Sequence, residues 1–150
     1  MNTVKHLNGS SLQPLPKKRL PFRNKNYLAS ILLASLLGTY LDLYFVGKQL
    51  YQFPMRPLPE LFSINITFTL LGLPILVMIF LSFISRVNIW GEMGVILFVS
   101  LLMPIFEKFA EQLGWFAHSD GWQHFYTFFG YLLFLTIIYL FNKWLEKRTI

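Results

Sequence analysis

The side chains best suited to chemistry in this 150-residue chain are seven acids and three histidines, and they are unevenly placed. Glu107 and Glu111 stand four residues apart, so a helix would point both from one face. His118, Asp120 and His124 follow shortly after, while Asp42, Lys48, Arg56 and Glu60 come from an earlier region. Carboxylates with imidazoles suit a divalent cation such as Zn²⁺ or Mn²⁺. Crowded carboxylates and histidines also shift one another's proton affinity toward a useful range. The fragments Glu107-x3-Glu111 and His118-x5-His124 match no strong ligand spacing, which leaves a metal site an open question. The favoured account is structural, with Lys48, Arg56 and Lys108 neutralising the acids in interfacial ion pairs. The candidate polar pocket therefore comprises Asp42, Arg56, Glu60, Glu107, Glu111, His118 and His124. No residue is assigned a catalytic role, because no G-x-S-x-G turn, Walker loop or dinucleotide fingerprint occurs. The chain has no cysteine, which excludes disulfides, thiolate ligation and a Cys nucleophile. No cofactor is expected, and an enzyme is the less favoured class.

The elements that must position these groups are apolar. Hydrophobic residues make up 55% of the chain and charged ones 13%, against about 25% charged in a soluble domain. Four apolar stretches cover about 27–46, 61–84, 93–113 and 123–141, and about 20 residues cross the ~30 Å hydrocarbon layer. The third is apolar only to Phe106, and charge counting decides whether it crosses. With four spans, ten basic residues fall on the side of the termini and three on the other. Because Lys and Arg concentrate on the cytoplasmic side, four spans with both termini cytoplasmic are preferred. The expected fold class is all-α, an integral membrane four-helix bundle of the plasma membrane with a disordered basic N-terminal tail. Residues 1–26 form that tail and 27–150 the transmembrane domain. The first apolar run is too long for a signal peptide and lacks a small-x-small site, so it is read as an uncleaved span.

Antiparallel neighbours bring the acids to the outer face. At ~1.5 Å rise per residue, Asp42 lies roughly 6 Å and Glu107 roughly 9 Å inside their helix ends. An ionised group at such depth costs a few kcal/mol unless paired or hydrated. A shared polar pocket or water-filled vestibule opening outward follows, lined by Asp42, Glu107 and Glu111 with His124 beside them. Ser35 and Gly38, then Asn65, Thr69 and Gly72, then Thr127 and Gly130 supply small or polar faces for helix packing. Pro74 and Pro104 sit mid-span, where a missing donor kinks a helix. Residues 51–60 hold Pro54, Pro57 and Pro59 and read as a rigid extended cap, from which Arg56 would reach Asp42 or Glu60. Trp90, Trp115, Trp122 and Trp144 fall at span ends, as interfacial indoles do.

The tail carries six basic residues and no acid. Anionic lipid headgroups are its expected partner, at ~1 kcal/mol per basic residue. Nucleic acid is not expected, for lack of an aromatic platform. The stretch LGTYLDLYFVGKQLYQFPMRPLPELFSINITFTLLGLP, from Leu37 to Pro74, resembles a family of small multi-pass membrane proteins of spore-forming Gram-positive bacteria. The fragment EKFAEQLGWFAHSDGWQHFYTFFGY is similar to the same family. The resemblance implies a helical bundle in the plasma membrane and brings no activity, cofactor or catalytic residue with it. The functional expectation is a non-enzymatic membrane protein acting by association with itself or with another membrane protein. The alternatives are a small oligomeric proton- or cation-coupled transporter, and a membrane-embedded enzyme acting on lipid.

Overall fold

The computed structural model describes residues 25–148, without the side chain of Lys25. The expected tail lies outside the described residues, apart from Lys25 and Asn26, which open the first helix. Four α-helices follow one another: α1 (Lys25–Gly47), α2 (Leu73–Ile84), α3 (Ile89–Gln112) and α4 (His124–Arg148). A π-helical turn, Phe68–Gly72, leads directly into α2. Two short strands, β1 (Tyr51–Gln52) and β2 (Ala117–His118), lie in the loops after α1 and α3. The described chain is all-helical apart from this one ladder.

Among the described residues, three helices are long and apolar enough to cross a membrane: Asn26–Gly47, Ile89–Gln112 and His124–Arg148. The second expected span, 61–84, yields a shorter helix over Phe68–Ile84. Local chemistry explains the loss. Asn65 caps the helix start, its side-chain oxygen accepting from the Phe68 amide at 3.2 Å. Leu61 and Phe62 are instead folded back in a turn onto the Leu58 carbonyl. Pro74 then has no amide hydrogen to give the preceding turn, and the ladder widens until the Leu73 amide reaches the Phe68 carbonyl. The interruption expected at Pro74 takes the form of this π-turn. Pro104, in contrast, lies inside an unbroken α3.

The stretch that looked weakest, the third, becomes one continuous helix of 24 residues. Asn88 caps its start, accepting from the Gly91 amide at 3.0 Å. Gly114, at φ 75°, ends it. The Trp115 and Gly114 amides bond back to Ala110 and Glu111, a C-terminal motif that needs a left-handed residue and therefore favours glycine. Glu107 and Glu111 are thereby fixed on the last turns of α3.

The helices run alternately up and down. Tyr27 near the start of α1 bonds the Leu81 carbonyl near the end of α2, and Ser30 meets Asn142 near the end of α4. Glu92 at the start of α3 pairs with Lys143 at 2.7 Å, while the end of α3 meets the start of α4 at Glu107 and Thr127. Ala34, Val77, Leu81, Leu135 and Ile138 are wholly buried between them. Gly38 lets α1 approach α2 closely, since a Cβ there would stand 2.3 Å from Leu73 Cδ2.

One correction concerns the packing positions: Gly130 is exposed, with nothing within 4 Å of where its Cβ would be. Asn65 is half-buried, and its side chain caps the helix start. Gly72 faces Phe68 of its own turn. Thr69 and Thr127 are buried, and Ser35 is half-buried.

Candidate functional site

The loop end of the fold is closed by a small aromatic core. Tyr51, Phe53, Ile64 and Phe116 are buried there, with Phe45 and Trp122 packed against them. β1 and β2 pair antiparallel, Tyr51 opposite His118 and Gln52 opposite Ala117. The Ser119 amide and hydroxyl both donate to the Leu50 carbonyl, at 2.9 and 3.1 Å. These bonds pin the β2 loop to the loop after α1 and carry His118 over the end of α3.

Glu107 stands at the centre. Its side chain is 11% exposed, and three donors from the β2–α4 segment converge on it. Trp122 Nε1 donates to Oε1 at 3.2 Å, His124 Nδ1 donates to the same oxygen at 2.9 Å, and the Thr127 hydroxyl donates to Oε2. Three donors satisfy a buried carboxylate without a countercharge. One turn further on, Glu111 is more exposed, its Oε1 meeting His118 Nδ1 and its Oε2 lying 3.6 Å from His124 Nε2. The two imidazoles lie side by side, with ring centroids 5.0 Å apart. Glu111, His118 and His124 each offer one ligand atom, and those atoms all lie within 4.8 Å of one another. Among the described residues, these three could together hold a metal ion.

Asp42 reaches the cluster indirectly. The Tyr51 hydroxyl donates to its Oδ1 at 2.6 Å, and the Tyr51 ring packs edge-on against Trp122 at 5.3 Å. Asp42 Oδ2 is buried with no hydrogen-bond partner among the described residues. Burial first, and the neighbouring Asp42 charge second, hold the Tyr51 phenol well above its ordinary range. A chain of contacts thus runs from Asp42 through Tyr51 and Trp122 to Glu107 and the two histidines.

Arg56 and Glu60 do not join the cluster, and this corrects the expectation for both. Arg56 donates to three carbonyls of its own loop, Phe62 and Phe53 at 2.7 Å each and Pro59 at 3.4 Å. Its planar fork replaces backbone partners that the prolines cannot provide. Glu60 is exposed and takes part in no ion pair among the described residues. The expected neutralisation of the acids by Lys48, Arg56 and Lys108 is likewise replaced. The acids are held by imidazole, indole and hydroxyl donors, Lys48 lies 5.9 Å above the Tyr44 ring, and Lys108 is exposed.

Trp122 and Thr127 also belong to the site, although the sequence places them only at the interface and on a helix-packing face. The signal for them was arithmetic on donors, since a carboxylate held inside a helix pair needs several, and indole and hydroxyl groups on the next segment can supply them. A second polar group lies at the opposite end of the bundle. Glu92, with its side chain 8% exposed, pairs with Lys143 and accepts from the Tyr139 hydroxyl at 2.5 Å. Asn142 bridges Ser30 and Glu146 beside it. Comparison of the chain with protein-family models, with curated proteins and with solved structures finds no match.

Proposed function

We propose that this chain is an integral four-helix bundle of the plasma membrane, crossing four times with both termini cytoplasmic, and that it acts by association in the membrane and not by catalysis. Its three long helices support the crossing, and Phe68–Ile84 reaches the lower limit of about 17 residues for a fourth span. The ten-to-three division of basic residues supports the orientation. The cap carrying Glu107, Glu111, His118 and His124 then faces outward, and the basic tail lies against anionic headgroups. Membership of the small membrane-protein family resembled by 37–74 belongs to the same proposal.

Gly130 carries the association reading. It is exposed on α4 with open space about it, on a stripe with Tyr126, Leu133 and Ile137, all exposed. In a bilayer a glycine in such a stripe lets a second helix approach closely. The cysteine-free chain makes the test direct. A Leu133→Cys variant, oxidised in native membranes, gives a disulfide-linked dimer that Gly130→Leu abolishes; monomer alone at every expression level refutes the reading. For topology, Ser63→Cys is labelled by an impermeant maleimide on intact cells, and Ser85→Cys only after permeabilisation.

A second reading, an oligomeric cation- or proton-coupled carrier, is favoured by the convergence of Glu111, His118 and His124. Reconstituted protein that gives no cation- or proton-dependent flux removes it.

A further inference from the structure

We infer that Glu111, His118 and His124 form a binding site for one divalent transition-metal ion, with Glu107 as the carboxylate behind His124. The inference deepens the reading of the cap as an outward-facing platform, and rests on it only for the side from which the ion arrives.

The argument begins at Glu107. A carboxylate saturated by Trp122, His124 and Thr127 can only accept, so His124 Nδ1 carries the hydrogen in the 2.9 Å contact. In the neutral ring the lone pair is then on Nε2. That nitrogen faces Glu111 Oε2 at 3.6 Å. Two acceptors facing each other repel unless a proton or a metal ion lies between them. Carboxylate bonded to one imidazole nitrogen, with the other nitrogen free, is the arrangement that orients histidine ligands in metal centres.

His118 completes the set from a third element. Its Nδ1 approaches Glu111 Oε1, so the two side chains present ligand atoms to the same space. The residues come from the end of α3, from β2 and from the first position of α4, and the β1–β2 ladder fixes their separation. Zn²⁺ holds nitrogen and oxygen ligands at about 2.0–2.2 Å. Tetrahedral neighbours are then about 3.3 Å apart, close to the 3.6 Å between His124 and Glu111. The wider separations, up to 4.8 Å, close by side-chain rotation of the half-buried Glu111 and His118. Two imidazoles disfavour Mg²⁺ and Ca²⁺, which take oxygen ligands. Three protein ligands leave a fourth position open to water or to a partner's donor group.

The test uses the full chain in detergent micelles, competing with a chromophoric indicator for Zn²⁺ and scanning Co²⁺ absorption for tetrahedral bands. The expected result is one ion per chain. Glu111→Gln, His118→Ala and His124→Ala each weaken binding at least ~100-fold, whereas Glu107→Gln weakens it about 10–100-fold at unchanged stoichiometry. Glu60→Gln, at an exposed acid of the same end, leaves it unchanged. Circular dichroism verifies folding, and the Co²⁺ spectrum of the unaltered protein stands even if a variant fails to fold. No binding at millimolar Zn²⁺, or binding indifferent to His118→Ala and His124→Ala, overturns the inference. Lost binding with the expected Ser63→Cys and Ser85→Cys labelling refutes the metal site alone. Reversed labelling with intact binding refutes the topology alone.

Discussion

Replacing Gly38 and Gly130 by alanine, one at a time, separates packing from backbone effects. Both glycines sit within helices. Alanine stabilises a helix by about 0.8–1 kcal/mol over glycine at either position. The surroundings differ. At Gly130 nothing lies within 4 Å of the new methyl group, so Gly130→Ala gains that amount in dilute micelles. At Gly38 the methyl would stand 2.3 Å from Leu73 Cδ2, well inside the ~3.5–4.0 Å optimum for carbon contacts. Leu73 is 2% exposed and directly follows the π-turn, which leaves it little room to retreat. Overpacking costs about 1–3 kcal/mol, so Gly38→Ala ranges from break-even to a loss of about 2 kcal/mol. The difference between the two variants is the overpacking term alone. Equilibrium unfolding in mixed micelles, followed by tryptophan fluorescence, measures it. Leu73→Val removes the obstructing carbon and rescues Gly38→Ala, a coupling readable from a double-mutant cycle. Equal responses at the two glycines, or no rescue, refute the close approach of α1 to α2.

Two further outcomes follow from the polar groups. The folded chain keeps the Tyr51 proton after the unfolded chain has lost it, so this group's contribution is complete below pH ~10 and falls above it by about 1.4 kcal/mol per pH unit. Unfolding free energies of the unaltered protein fall by about 1.4 kcal/mol in total between pH ~9 and ~11, where the unfolded phenol is still titrating, and those of Tyr51→Phe fall by less. Lys143→Met strands the buried Glu92 carboxylate and costs roughly 1–3 kcal/mol, discounted because Lys143 is itself partly exposed; adding Glu92→Gln restores part of the loss in the same unfolding assay.

The sequence carried the helices more legibly than their starts. Apolar length located all four, but hydropathy counts side chains and not backbone bonds, so Leu61 and Phe62 looked helical until Asn65 was seen to cap the turn after them. The same limit made the third stretch read short, because Glu107 and Glu111 lower apolarity without interrupting a helix that Gly114 ends. At the site, ordering the helix ends by antiparallel packing was enough to group Glu107, Glu111, His118 and His124. Arg56 escaped because charge counting seeks distant acids, whereas a guanidinium in a proline-rich loop finds nearby carbonyls first. Trp122 and Thr127 escaped because uncharged donors carry no electrostatic signature.

The β1–β2 ladder also imposes a schedule on synthesis. Tyr51 and Gln52 emerge early, yet their partners Ala117 and His118 exist only after α3 is complete. Glu107 waits longer still, since Thr127 lies beyond the start of α4. A nascent chain halted before that point exposes undressed carboxylates and an unmatched strand. The cap therefore closes late in synthesis, and the Ser30–Asn142 and Glu92–Lys143 contacts at the opposite end close later still.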